Sequence, residues 1–291
     1  MRQPDDLAWI ALSLQPHIGL KTLSLLLAQF GSPSAVLAAD AAALQQVRGI
    51  GAKLATAITQ INLEQITRKC TQWARAGVQI LPLNHPHYPE SLRQLDDAPP
   101  TLFVQGQILI TLPPAIALIG TRLPCDEARF AAYYLGRSAA EAGYIVASGM
   151  ALGIDAAAHM GALATEKTLH PHVTVAVLGS GVLQAYPTQH RKLAQKILKR
   201  GALISETAPD AAPNAPRLVS RNRLITGIAT KGVIVLETSA DGGAMHAARF
   251  AQAQGRPLYT LDLPAPGNQA LIQAGAVALP PDIQTLDFLK S

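Results

Sequence analysis

From residue 115 onward one pattern recurs: a short unbroken apolar run, a stop at Gly, Ser, Thr or Glu, and then a segment of helical spacing. The runs are 115–119 (stopping at Gly120, Thr121 and Arg122), 144–147 (Ser148 and Gly149), 174–178 (Gly179, Ser180 and Gly181), 202–204 (Ser205, Glu206 and Thr207) and 232–236 (Glu237 and Thr238), with a sixth at 257–261. Helical segments at about 126–142, 155–164, 190–200, 220–229 and 244–254 separate them. Continuously apolar strands alternating with helices make a parallel sheet covered on both faces. Ligands on such a sheet bind beyond the carboxyl ends of its strands, so these stops converge on one edge.

The stretch 144–164 shows the unit most fully. Its strand breaks at Ser148, Gly149 and Gly153 and enters an Ala-rich helix at Asp155. Backbone N–H groups at such a turn and helix start form a phosphate-sized anion site. Glycines there also let helix and sheet pack closely, which for a lone turn is the commoner use. Repetition along the chain favours the anion reading. Asp155 and His159, four residues apart, lack a nucleophile beside them and read as a helix-start Asp with a local hydrogen-bond partner.

Residues 5–70 are helical in spacing, with Gly or Pro at the breaks. Gly49-Ile50-Gly51, followed by Lys53, resembles the turn of a helix-hairpin-helix, whose backbone N–H groups meet a DNA phosphate. His17-Ile18-Gly19 is a second, degraded copy, with His17 where that turn wants Gly. DNA contact and scaffolding both fit this region, and one hairpin is a minor anchor. Residues 71–114 form a transition, with strands at 76–81 and 102–104 flanking a Pro-rich extended run along a domain edge. We place a domain boundary near residue 70: a helical unit over 1–70 and an α/β domain over 71–291.

The composition suits that core, since 49% of residues are hydrophobic and only 4% aromatic. No apolar run is long enough to span a membrane, and no secretory signal is evident, so the expected location is cytoplasmic. Cys70 and Cys125, far apart in sequence, read as reduced structural thiols. A net charge of +5 points weakly to acidic partners. The clustering of Arg191, Lys192, Lys196, Lys199 and Arg200 on one helix, with Arg217, Arg221, Arg223 and Lys231 beyond it, suggests a backbone-phosphate track. Glu206 is placed to orient Arg221 or Arg223 toward a phosphate.

Several chemistries lack their signatures. Gly179-Ser180-Gly181 does not continue into a dinucleotide fingerprint, and there is no P-loop, H-E-x-x-H, C-x-x-C or nucleophile elbow. Glu206 and Glu237 without further ligands make a poor metal site. The residues describe a binding edge without a catalyst.

Over about residues 100–280 the chain closely resembles the DprA/Smf family of DNA-processing proteins. The motifs occur in order: Ile119-Gly120-Thr121-Arg122; the run from Ser148 to Asp155 with Ala158-His159; Val177-Leu178-Gly179-Ser180-Gly181 with Tyr186-Pro187; Ile204-Ser205-Glu206; Ser220-Arg221-Asn222-Arg223-Leu224-Ile225-Thr226-Gly227; and Leu271-Ile272-Gln273-Ala274-Gly275-Ala276. The resemblance implies an extended Rossmann-like, doubly wound, mainly parallel sheet preceded by a small all-helical, SAM-like domain. It implies a recombination mediator that binds incoming single-stranded DNA without sequence preference, protects it and helps load RecA in natural transformation. Such proteins are homodimers through the Rossmann-like domain, not enzymes, and need no nucleotide or metal cofactor. Carried over by motif, Arg122 is the chief phosphate-binding residue, Gly149, Gly153 and Gly179 open N–H sites, and Arg221, Asn222 and Arg223 line the same pocket.

Gly120, Thr121, Ser148, Gly181, Tyr186, Arg191, Lys192 and Ser205 complete the expected DNA contacts, with Gly49, Gly51 and Lys53 as minor ones and Asp155, Glu206 and Glu237 as supports. Tyr186 is the aromatic candidate for base stacking. The chain departs from the family at Thr188, where Lys commonly follows Tyr-Pro, and at Asp241-Gly242-Gly243, where Ser-Gly-Ser is usual. The Pro-Gly loop near 264 is short, and no C-terminal winged-helix domain is expected. Two alternatives remain. One is a nucleotide-processing hydrolase like the lysine-decarboxylase-like phosphoribohydrolases, although residues 241–248 (DGGAMHAA) lack the acid that chemistry needs. The other is a nucleotide-sensing module of related fold.

Overall fold

The structure, a computed structural model, describes residues 4–107 and 113–289. Residues 108–112, inside the expected edge segment, and both chain ends lie outside the described residues. Six helices come first: α1 (Pro4–Ser13), α2 (Leu20–Phe30), α3 (Pro33–Ala38), α4 (Ala41–Gln45), α5 (Ala52–Thr59) and α6 (Leu63–Arg75). Ser32, Asp40 and Asn62 cap α3, α4 and α6 by accepting from N–H groups of their first turns. The two hairpin turns have matching geometry. His17 (φ 69) and Gly49 (φ 89) both take the left-handed conformation, while Ile18 and Ile50 are buried in one shared core. His17 thus adopts the backbone shape that Gly adopts in the other copy, at a steric cost Gly avoids.

Next come β1 (Val78–Pro82), α7 (Glu90–Arg93) and β2 (Thr101–Gly106). Alternation follows, through β3 (Ala115–Ile119), α8 (Asp126–Glu141), β4 (Ile145–Ser148), α9 (Ile154–Ala164), β5 (Thr174–Val177), α10 (Arg191–Lys199) and β6 (Gly201–Ser205). It ends with α11 (Ala215–Ser220), α12 (Asn222–Ile228), β7 (Gly232–Val235), α13 (Gly243–Ala253), β8 (Leu258–Leu261), α14 (Pro266–Gln273) and β9 (Val277–Leu279).

The strands make one sheet in the order β1-β2-β6-β5-β4-β3-β7-β8-β9. The seven from β6 to β9 run parallel, and only β2 pairs antiparallel, with β1 and β6 on either side. Every residue of β3, β4, β5, β6 and β7 is buried, as strands covered on both faces require. Against one face pack α8 and α9, through Leu135 and Ile154, and farther along α1, α6 and α10, through Ile10, Trp73 and Ile197. Against the other pack α12 and α13, through Leu224, Ile225 and Ala247. The fold is therefore a doubly wound, mainly parallel sheet behind a helical hairpin unit. Among the described residues no helix is long and apolar enough to cross a membrane.

From β3 the chain builds outward through β4 and β5 to β6, then returns to the opposite side of β3 to lay down β7. That reversal opens a crevice beyond the carboxyl ends of β3 and β7, where sheets of this type bind ligands. The helix expected over 220–229 is α12; a short helix not foreseen, α11, precedes it, and the chain turns between the two at Arg221. Asn214 caps α11 by accepting from the Arg217 N–H, and Pro216 sits in its first turn. The turn aims Arg221 inward.

Candidate nucleic-acid interface

A cavity of about 340 Å³ fills the crevice between the β3 and β7 ends. It is bounded by Gly120, Thr121 and Arg122 on one side, by Thr238, Ser239, Gly242 and Gly243 on the other, and by Asp155, Arg221 and Asn222. Glu237 fixes the first wall. Its backbone carbonyl accepts from the Thr121 N–H at 2.8 Å and its carboxylate from the Cys125 N–H at 2.7 Å. The loop bearing Arg122 is thereby fastened to the end of β7. Gly153 (φ 75) allows that loop to pass close above α9: a Cβ there would lie 2.5 Å from the Thr121 carbonyl oxygen. Arg122 is exposed and, among the described residues, forms no ion pair.

Arg221 is only 7% exposed. Its Nη1 donates to the Val177 carbonyl at 2.5 Å and its Nε to the Leu218 carbonyl at 3.3 Å. Beside it, the Asp155 carboxylate accepts from the N–H groups of Gly149 (3.0 Å) and Ala151 (3.2 Å). Burial pushes the Asp155 carboxyl up and the Arg221 guanidinium down, and each charge partly restores the other. Arg122 adds a second repulsive push on Arg221. Asp155 offsets the charge of Arg221 while Arg122 beside it has no carboxylate of its own, an imbalance that an anion would relieve.

Several expected contacts have other tasks. The Gly149 N–H is held by Asp155, and the Gly181 N–H donates to Ala211 at 2.9 Å. A Cβ on Gly179 would lie 2.8 Å from Leu218 Cα, and one on Gly181 2.2 Å from the Ala208 and Pro209 carbonyl oxygens. These glycines serve close packing. Ser148 donates to the Leu118 carbonyl at 2.6 Å, and Ser205 donates to Leu178 and accepts from the Thr207 N–H; both are fully buried and tie strand ends together.

Arg223, expected in the same pocket, lies apart. It pairs with Glu206 at 2.6 Å and Asp97 at 2.9 Å, in a separate cavity of about 270 Å³ whose opposite wall is the first hairpin, Ile18 to Thr22. Glu206 thus orients Arg223, not Arg221. That first hairpin is docked on the α/β body, where Trp9 Nε1 also donates to the Pro100 carbonyl at 2.8 Å and Ser13 to Thr101 at 2.9 Å. Gly49, Gly51 and Lys53 of the second hairpin are exposed.

Tyr186, 38% exposed, joins Arg122, Gly149, Leu152 and Arg221 around a smaller adjoining hollow. It also borders a groove that includes Thr188 and Arg191, so the Arg122 pocket continues over Tyr186 onto α10. Lys192 is exposed on α10 but lines none of these hollows. Asp241 accepts from the Ser239 hydroxyl at 2.9 Å and stands outside the cavity wall.

Sequence reasoning missed the apolar rim. Leu123 (88% exposed), Leu152 and Val219 surround the arginines. Their signal was an apolar residue in a strand-end loop or short helix with nothing to bury it.

The model of the DNA recombination-mediator protein A family matches residues 79–289, and that of the SAM-like helix-hairpin-helix tandem matches residues 12–60. Protein Smf of Escherichia coli K12 is 31% identical over 257 residues, covering 86% of this chain and 67% of that one. The chain spans about two thirds of the length of the curated Smf relatives it matches. The X-ray structure of DNA processing protein A from Streptococcus pneumoniae superposes with a TM-score of 0.77 at 22% identity, over 97% of this chain and 96% of that one. DNA processing protein A from Helicobacter pylori, which binds single-stranded DNA, superposes with a TM-score of 0.62 at 26% identity, over 73% and 94%. With its motifs in order, its sheet wound as described and the family model covering most of its length, the chain belongs to the DNA recombination-mediator protein A family.

Proposed function

We propose that this chain is a recombination mediator that binds single-stranded DNA, protects it and helps load RecA in natural transformation. The observation that carries the reading is the pair of arginines at the switch crevice, Arg221 buried with Asp155 as its counter-charge and Arg122 exposed beside it, with a rim of exposed Tyr186, Leu123, Leu152 and Val219. Guanidiniums suit backbone phosphates, and the rim suits unstacked bases, whose faces a single strand exposes and a duplex hides. Arg191 extends the basic surface beyond Tyr186, and the exposed second hairpin supplies a remote backbone anchor. The same reading makes the protein a homodimer through its α/β domain, acting by binding and not as an enzyme.

Replacing Arg122 with Ala tests the site. Affinity for single-stranded oligonucleotides should fall to a similar degree for every sequence, and the slope of log K against log salt should drop by about 1. Unchanged affinity and slope would remove Arg122 from the interface.

A further inference from the structure

Three aromatic side chains are exposed among the described residues, in a chain with only 4% aromatics. One is Tyr186, beside the arginine crevice. The other two, Phe130 (55% exposed) and Tyr134 (39%), stand four residues apart on one face of α8. With Glu127 and Ala131 they form one wall of a hollow of about 390 Å³, and residues 281–284, which follow β9, form the other. That second wall is pinned in place. Leu286, just beyond it, is buried, and its N–H donates to the Ser138 hydroxyl of α8 at 3.3 Å. The hollow therefore exists before any occupant arrives.

Its rim is acidic. Glu127 on one wall and Asp282 on the other both border it, and no Lys, Arg or His does. Neighbouring Asp126 is committed to Arg129, whereas Glu127 and Asp282 form no ion pair among the described residues. Serving the helix dipole accounts for Glu127, in the first turn of α8, but not for Asp282, which belongs to no helix. Two carboxylates from separate elements, beside two aromatic side chains and Ile283, complement a cation carried on an apolar body. A guanidinium meets both demands, since it stacks on a ring while its edge donates to carboxylates. A nucleic acid, with its phosphates, is repelled.

We propose that this hollow docks a short segment of a partner protein that presents an arginine flanked by apolar residues. Its size makes the contact small and transient. None of its lining residues lines the arginine crevice, so the docking surface stands apart from the strand-binding site. It is nonetheless close by: α8 begins four residues after Arg122, and Phe130 and Tyr134 lie about 6 and 12 Å along it. A partner seated there stands beside a bound strand without covering it.

The full chain, labelled at its isoleucine methyl groups, is titrated by NMR with acetyl-Leu-Arg-Leu-amide, with the same tripeptide carrying citrulline, the neutral isostere of arginine, and with oligo-dT. Ile283→Val identifies the reporting signal. The expected result is a saturable shift of Ile283 with the arginine peptide, about tenfold weaker binding of the citrulline peptide, and a loss of about threefold in each of Glu127→Gln and Asp282→Asn. Unfolding midpoints of these variants should match wild type, since both side chains are exposed.

No shift at Ile283, or equal affinity for the arginine and citrulline peptides, would overturn the proposal and leave the strand site standing. A shift at Ile283 with oligo-dT would make this a nucleic-acid surface and overturn it too. So would self-association, measured by sedimentation equilibrium, that weakens in Tyr134→Glu, because the hollow would then be a contact between two copies of this chain.

Discussion

A Cβ on Gly149 would lie 1.7 Å from Arg221 Nη1, so the buried guanidinium occupies the space that any other residue at 149 would take. The glycine that looks like an anion loop in the sequence is the seat of an arginine. Gly149→Ala should expel the guanidinium from its hydrogen bond to Val177, costing about 1–3 kcal/mol of stability. Single-strand affinity should fall about tenfold as the two-arginine geometry is lost. Urea unfolding and oligonucleotide titration of the same variant check both effects; affinity kept at the wild-type value would separate Arg221 from binding.

Asp155 is the second support of that arginine. Asp155→Ala leaves the Gly149 and Ala151 N–H groups without their acceptor and Arg221 without its buried counter-charge. Each buried N–H left without an acceptor costs about 1–3 kcal/mol. Asp155→Asn, which keeps an acceptor oxygen, should lose less. Urea denaturation of the two variants gives the ranking, and an Ala variant as stable as wild type would contradict it.

His159 carries a pH signature. Its Nδ1 lies 2.7 Å from Thr174 Oγ1, which itself donates to the Val146 carbonyl, so Nδ1 bears the proton and donates to the threonine. Nε2 is buried without a partner. Burial, reinforced by Arg221 and His190, pushes the ring's pKa down to about 3. Above pH ~6.5 the ring is neutral in both folded and unfolded chains and has no linkage effect. As pH falls from there toward 3 the unfolded state alone takes the proton, and stability drops by up to about 1.4 kcal/mol per pH unit. His159→Gln should flatten this decline. Denaturant midpoints at pH 7, 6 and 5 measure it; parallel declines in the two proteins would show that the histidine is not the cause.

Most strands were legible in the sequence because they are buried on both faces and so read as unbroken apolar runs. β9 was not, since it has three residues and Val277 is 54% exposed. The turn at Arg221 that joins the unforeseen short α11 to the expected helix α12 was also hidden. No Gly or Pro marks it, and the turn is held by Arg221 reaching a carbonyl 44 positions away in sequence. At the site, the convergence of strand ends was readable and the division of labour was not. Which N–H groups stay available depends on acceptors such as Asp155 and Ala211, brought in by tertiary structure. Arg223 differs from Arg221 only by its place on α12, which aims it at Glu206 and Asp97. His17 was read as damage to a hairpin, yet it keeps the turn's left-handed backbone.

The central claim is that this surface prefers a single strand through a combination of phosphate charge and base contact. It is tested most directly by measuring the affinity of the full chain for one oligonucleotide, single-stranded and duplexed, over a salt series. The account predicts that single-strand affinity exceeds duplex affinity at every salt concentration, and that the preference persists as rising salt weakens both. Equal affinities, or a preference that vanishes with screening, would mean that charge alone is read and would contradict the account.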